Sequence, residues 1–265
     1  MSENTAEAQV AENAEVLTEV RGNVLVITLN RPQAKNAANA AMAQQMVAAL
    51  DRLESDDSLY VGVITGAGGT FCSGMDLKGF VRGERPSIPG RGFLGLTEGR
   101  IAKPLIAAVE GYALAGGFET MLACDLVVAA ETAKFGVPEV KRGLVAAAGG
   151  VVTLPKRTHR AVAMEMALTG DIYPATFGKE NGFVNTIVGE GGALDGALEL
   201  AQRIAKNGPL AVRVSKQLIV ESQDWTDEEK FAKQAPIVDP VFTSADAKEG
   251  ATAFAEKREP NWTGR

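Results

Sequence analysis

Two acids in this chain stand close to features that could make use of them. Glu119 follows the glycine pair Gly116-Gly117, and Glu139 lies 139 − 119 = 20 residues further on, in a Phe-Gly-Val-Pro-Glu loop. A glycine turn that opens a helix leaves main-chain N–H groups unpaired and aimed along the axis, a ready cradle for an oxyanion. Each feature has an ordinary explanation when taken alone. The glycines could simply make a tight turn, Glu119 could be an acid favoured by the helix dipole (~0.3–1 kcal/mol), and Glu139 could be a surface acid. Together they describe a donor for developing negative charge flanked by two carboxylates. Two N–H groups converging on one oxygen form an oxyanion hole, where loss of a donor typically costs ~10²–10³ in rate, and an enolate from a thioester would suit it.

The elements that must position these groups can be read in order. Glu15 to Arg21 and Val24 to Leu29 are β-rich runs around Gly22-Asn23, a two-residue hairpin signal, and Asn30-Arg31-Pro32 ends the second. Met42, Met46, Leu50 and Leu53 recur at helical spacing, with Asn36 or Asn39 as N-cap. Tyr60 to Thr65 reads as a buried strand running into the glycine loop Gly66 to Leu77, so strand, helix and strand predict parallel pairing. Gly79 to Gly99 holds two prolines and several glycines and arginines. It reads as one long irregular segment, expected to form a mobile flap. Leu105 to Val109 is a strand feeding the Gly116 turn, whose helix runs through Met121 and Leu122 to another buried strand. Small residues fill Gly143 to Gly150, and from Thr158 the pattern is mostly helical: 161–169, 175–181, 193–206, 209–222, 227–234 and 245–257.

Composition narrows the function classes. With 265 residues, 46% hydrophobic and 23% charged, the chain has the make-up of a soluble globular protein with a sizeable core. A net charge of −6 without a Lys/Arg run argues against nucleic acid, and no apolar run reaches the ~18 residues of a membrane span. Two unpaired-looking cysteines, Cys72 and Cys124, and one histidine, His159, make no believable metal site and suit the cytoplasm. His159 sits in the basic run Lys156 to Arg160 and reads as a surface side chain. Residues 1–14 are polar and acidic, a disordered tail rather than a signal peptide. The loop at Gly66 is not a P-loop, since Met75-Asp76 follows Gly74, nor does it carry G-x-G-x-x-G.

The chain resembles the enoyl-CoA hydratase/isomerase (crotonase) family over nearly its whole length after the tail. The resemblance is carried by Leu29-Asn30-Arg31-Pro32 with Asn36-Ala37, GAGGTFCSGMDL (66–77), KPLIAAVEGYALAGG (103–117), Glu119, Ala123-Cys124-Asp125, Pro138-Glu139 and AFAEKR (253–258). It implies an α/β fold with a crotonase-like (ClpP/crotonase) β/α spiral core over residues 15–190 and a C-terminal helical oligomerisation region over 191–265. It also implies that the N–H groups of Met75 and Gly116 hold the thioester oxygen. Glu139 would deliver a proton to the α-carbon, and Glu119 would orient and deprotonate the water that adds at the β-carbon. Met75, Asp76, Leu77, Lys78, Gly116, Lys35, Ala37, Phe254 and Lys257 are the implied substrate and coenzyme A contacts. No metal or cofactor is implied beyond the coenzyme A of the substrate, and a trimer or dimer of trimers is expected. The activity implied is hydration of the 2,3 double bond of an enoyl-CoA. Alternatives are crotonobetainyl/carnitinyl-CoA hydration, isomerisation or thioester hydrolysis on the same scaffold, and non-catalytic acyl-CoA binding. The chain departs from the family pattern at Ala115, expected to be harmless, and at Met75, Thr120 and Ala146.

Overall fold

The computed structural model describes residues 14–265. The tail expected over residues 1–14 thus lies outside the described residues except for Ala14, whose carbonyl accepts from Asn30 Nδ2 at 2.9 Å.

The Gly22-Asn23 signal produces the expected hairpin: β1 (Val16–Arg21) and β2 (Val24–Leu29) pair antiparallel, with Gly22 at φ 62° in the left-handed region such a turn needs. Helix α1 (Ala40–Ser55) starts at Asn39, whose side chain accepts Met42 N–H, and it buries Met42, Met46, Leu50 and Leu53. The chain continues through β3 (Val61–Gly66), α2 (Leu77–Val81), β4 (Ser87–Ile88), β5 (Gly92–Phe93) and β6 (Leu105–Val109). Next come β7 (Tyr112–Leu114), α3 (Gly116–Leu122), β8 (Leu126–Ala130) and β9 (Lys134–Gly136). A 3-10 turn, Pro138–Arg142, precedes α4 (Gly150–Arg157) and α5 (Arg160–Thr169). Then β10 (Tyr173–Pro174), α6 (Ala175–Glu180) and β11 (Thr186–Val188) lead to α7 (Ala193–Ala205). The last elements are α8 (Pro209–Glu221), α9 (Lys230–Phe242) and α10 (Ala245–Glu256).

The main sheet has the order β1-β2-β3-β6-β8-β11, parallel throughout except for the β1 edge. Its central strands are apolar on both faces, as sheets covered on both sides require. Leu25, Ile27 and Leu29 of β2 point to the core that contains α1, and Val24 and Val26 point to the opposite face, covered by Ala193, Ala197, Leu198 and Ala201 of α7. A smaller sheet, β10-β9-β7, pairs β7 parallel to β9. This is the expected α/β architecture, and β2, α1 and β3 form the expected parallel unit.

Two expectations are corrected. Gly79 to Gly99 is not irregular throughout: α2 runs into it, β4 and β5 make a short hairpin, and Phe93, Leu94 and Leu96 are buried in the core. Apolar burial anchors its second half. The helix expected at 227–234 instead spans Lys230–Phe242, with Pro236 and Pro240 inside it. Among the described residues no helix is long and apolar enough to cross a membrane.

Candidate active site

The two glycine loops are stitched together by main-chain bonds. Cys72 forms a parallel bridge with Ala113 of β7: Cys72 N–H donates to Tyr112 O at 2.9 Å and Leu114 N–H to Cys72 O at 3.0 Å. Three residues on, Met75 bridges Ala38. Ala38 N–H donates to Gly74 O at 2.7 Å and Asp76 N–H to Ala38 O at 2.8 Å. That bridge uses the groups flanking Met75 and does not consume its own N–H. Strand β7 runs directly into α3, so the same stitching brings Gly116 alongside; a Cβ placed on Gly74 would lie 3.4 Å from Gly116 N. Gly116 N–H belongs to the first turn of α3, where a helix leaves its donors unpaired.

Close approach explains the glycines. A Cβ on Gly117 would fall 2.1 Å from Cys72 O, and one on Gly116 would fall 2.5 Å from the Phe93 ring. Ala115 was expected to be harmless because the donor is Gly116, and it leaves that N–H in place, but it carries a backbone cost of its own. Its φ of 51° and ψ of −129° lie in glycine's territory, at a cost of ~1–3 kcal/mol. Thr120, set where an apolar residue is usual, satisfies its buried hydroxyl by donating to Gly116 O at 2.7 Å.

Buried polar groups hold the Met75 loop from beneath. Asn36, which is fully buried, donates from Nδ2 to Ala67 O at 2.9 Å and to Thr70 O at 2.6 Å, and its Oδ1 accepts Arg31 N–H. Asp76 Oδ1 accepts Lys78 and Gly79 N–H and so caps α2, while Oδ2 faces Arg31 at 3.1 Å. Asp76 is therefore occupied within the loop and does not line the cavity. The sequence marked Arg31 and Asn36 as parts of a motif, and Asn36 also as a possible N-cap, a place that Asn39 takes; their role as braces depends on partners some 30 to 45 residues away.

The two acids converge on one cavity of about 590 Å³, which Met75, Leu77, Gly116 and Lys35 also line. Glu119 is 4% exposed, and its Oε1 accepts Gly150 N–H, from the start of α4, at 2.8 Å. Burial pushes its carboxyl up to about 7; the Gly150 N–H pulls the other way, and the Glu139 charge adds to the rise. Burial also raises Glu139, opposed by its own N–H and by Arg142. One oxygen of Glu139, Oε2, is buried and has no hydrogen-bond partner among the described residues. Burial raises both carboxyls and the Glu139 charge disfavours ionising Glu119 beside it, so the pair can hold one proton near neutrality while its second member is ionised. Ala37 and Lys78 do not line the cavity. Phe254, 87% exposed, and Lys257, the left-handed C-cap of α10, do not line it either. His159 is exposed, as expected.

Comparison with known proteins gives this geometry a family. The sequence profile described as enoyl-CoA hydratase/isomerase matches residues 19–265. The chain belongs to the enoyl-CoA hydratase/isomerase family. The enoyl-CoA hydratase EchA19 of Mycobacterium tuberculosis is 42% identical over 269 residues, covering 97% of this chain and all of that one. A carnitinyl-CoA dehydratase of Proteus mirabilis is also 42% identical, over 92% of this chain and 97% of its own. Among solved structures, an enoyl-CoA hydratase from M. tuberculosis H37Rv superposes with a TM-score of 0.94 at 56% identity, covering 96% of this chain and 100% of that one. A carnitinyl-CoA hydratase from Mycobacterium avium superposes at 0.77 with 43% identity and the same coverage. The crotonase-like fold and its α/β core are thus those of enoyl-CoA hydratases.

Proposed function

We propose that this protein adds water reversibly across the 2,3 double bond of an enoyl-CoA thioester. The activity class is the hydro-lyase chemistry of its family and relatives. One observation carries the residue roles: the buried Glu119 and the half-buried Glu139 both line the cavity that Gly116 and Met75 line. The Met75 and Gly116 N–H groups hold the thioester oxygen as charge develops on it, a task fixed dipoles perform without reorganising. Water is deprotonated by Glu119 in its ionised form as its oxygen bonds the β-carbon, and Glu139 gives its proton to the α-carbon. The proton gained by Glu119 then replaces the one lost by Glu139, and no atoms or charge are left over. Burial raises the Glu119 carboxyl to about 7, so near neutrality water adds from the fraction of molecules in which Glu119 is ionised. Coenzyme A is the activating part of the substrate, and no metal or other cofactor takes part.

A hydration assay on a panel of enoyl-CoA thioesters tests this, with Glu119→Gln and Glu139→Gln each expected to lose activity by ~10²-fold or more. Variants that turn over every substrate like the parent would overturn the roles. The carnitinyl-CoA relatives raise a second reading, with a quaternary ammonium on the acyl group. Lys35, Arg85 and Arg142 line the cavity against one further carboxylate, Glu98, which favours an acyl group without a cationic head. Preference for crotonobetainyl-CoA over crotonyl-CoA would reverse that choice.

The protein works in the cytoplasm as a homo-trimer or a dimer of trimers, with a β/α core over 15–190 and a helical assembly region over 191–265. Phe231, Phe242 and Phe254 are exposed on α9 and α10, apolar surface of the kind that association covers. Phe254 and Lys257 would reach the coenzyme A of a neighbouring subunit. A monomer by light scattering at micromolar concentration would contradict this.

A further inference from the structure

Helix α4 grips α3 at both ends. At the start of α4, Gly150 N–H donates to Glu119 Oε1 at 2.8 Å. At its end, Arg157 reaches the opposite end of α3: NH2 donates to Leu122 O at 2.8 Å and to Cys124 O, and NH1 to Asp125 O at 3.3 Å. Leu122 closes α3, whose last carbonyls have no partner within the helix and carry the negative end of its dipole. A planar guanidinium serves several carbonyls at once, which an ammonium on a flexible stem does not. From the other side, Lys216 of α8 pairs with Asp125 at 2.6 Å, and the same carboxylate oxygen accepts Leu105 N–H at 2.7 Å. The carboxyl end of α3 is thereby tied to α4, α8 and the main sheet.

We propose that Arg157 is a positioning residue for Glu119: by fixing α3 lengthwise against α4, it holds the Glu119 carboxylate on the Gly150 N–H. Arg157 does not touch the cavity and acts only through the pairing of the two helices. The inference rests on the proposed function for calling Glu119 a catalytic acid, but the contacts themselves do not depend on it. If the grip loosens, the Gly150 N–H no longer stabilises the ionised carboxylate, and Glu119 holds its proton to higher pH.

The charged groups around Glu119 leave few other sources for such a change. Glu139 faces it from the Pro138–Arg142 turn, with Arg142 at the end of that turn. Lys35, Arg85 and Glu98 share the cavity wall. On α4 the only charges are Lys156 and Arg157, both at the far end, and Lys156 is turned to Asp224 at 3.6 Å. Neither Glu139 nor the wall charges are touched by a change at Arg157.

The test is the titration of Glu119 itself, read as the carboxyl infrared band that disappears in Glu119→Gln, first in the parent and then with Arg157→Lys and Arg157→Leu. The midpoint is expected to rise by about half to one pH unit, a three- to tenfold gain in proton affinity. The pH limb of kcat/KM should move with it, and kcat should fall more than KM changes. A lowered melting temperature with an unmoved midpoint in Arg157→Lys would make Arg157 a purely structural residue and overturn the proposal. If Arg157→Leu does not fold, Arg157→Lys decides alone. The infrared midpoint is read without turnover, so a failure to hydrate any enoyl-CoA would count against the proposed function and leave this result standing.

Discussion

Replacing Glu119 with glutamine should make the protein more stable above neutral pH while removing its activity. In the folded chain burial raises this carboxyl from its ordinary 4.5 to about 7, and in the unfolded chain it returns to the ordinary value. The folded state therefore binds the proton more tightly. The stability this contributes is fully present below pH 4.5 and is lost as pH rises through 7. At pH 8 the native protein must carry a buried carboxylate. The difference, 7 − 4.5 = 2.5, corresponds to about 3 kcal/mol at 1.36 kcal/mol per pH unit. Glutamine never ionises, and its Oε1 can still accept the Gly150 N–H, so it escapes the cost. For a chain of this size that amounts to roughly 6–12 °C in melting temperature at pH 8, shrinking toward zero near pH 4.5. Thermal unfolding of both proteins from pH 4.5 to 8.5 measures it, at fixed protein concentration so that any association contributes equally. An advantage for Glu119→Gln that is absent, or the same at every pH, would refute the reasoning.

Three further outcomes follow from the loops around the cavity. Ala115→Gly should stabilise by about 1 kcal/mol, since relief of ~1–3 kcal/mol of backbone strain exceeds the ~0.4–1 kcal/mol of added chain entropy in the unfolded state; an unchanged or lowered urea midpoint would refute this. Gly117→Ala drives a methyl against Cys72 O and should separate the two stitched loops, costing more than about 3 kcal/mol and the activity with it. Near-normal turnover by that variant would show that the loops tolerate spreading. Burial pushes the Cys72 and Cys124 thiols up to about 12. Both should stay unreactive toward an aromatic disulfide reagent at pH 8 until denaturant is added, and rapid labelling of the native protein would count against their burial.

Much of the fold was legible because its long elements carry strong periodicity. The β1–β2 hairpin, α1, β3, β6 and the helices from α5 to α8 fall within a few residues of their expected positions. What escaped is short or held from a distance. Strands β7, β9, β10 and β11 have two or three residues each, too few for alternation to register; pairing in the smaller sheet decides the first three, and pairing with β8 at the edge of the main sheet decides β11. Helix α4 hid behind the small residues ending at Gly150, so the donor for Glu119 went unseen. Pro236 and Pro240 sit inside α9, where local rules would end a helix. Arg157 read as one member of a surface basic run, because nothing near it in sequence announces the carbonyls of α3. The candidate site was legible for the opposite reason: glycine turns and paired acids are local signals, and the resemblance joined them.

The stitching of the two loops has a consequence for how such a protein can change. Both donors proposed for the thioester oxygen are main-chain groups, and Met75 offers its N–H whatever side chain it carries. That side chain lines the cavity, so mutation at position 75 can reshape what fits without removing the donor that stabilises charge. With the proposed roles, selection can alter substrate choice at this position while the rate enhancement from a main-chain cradle is inherited unchanged.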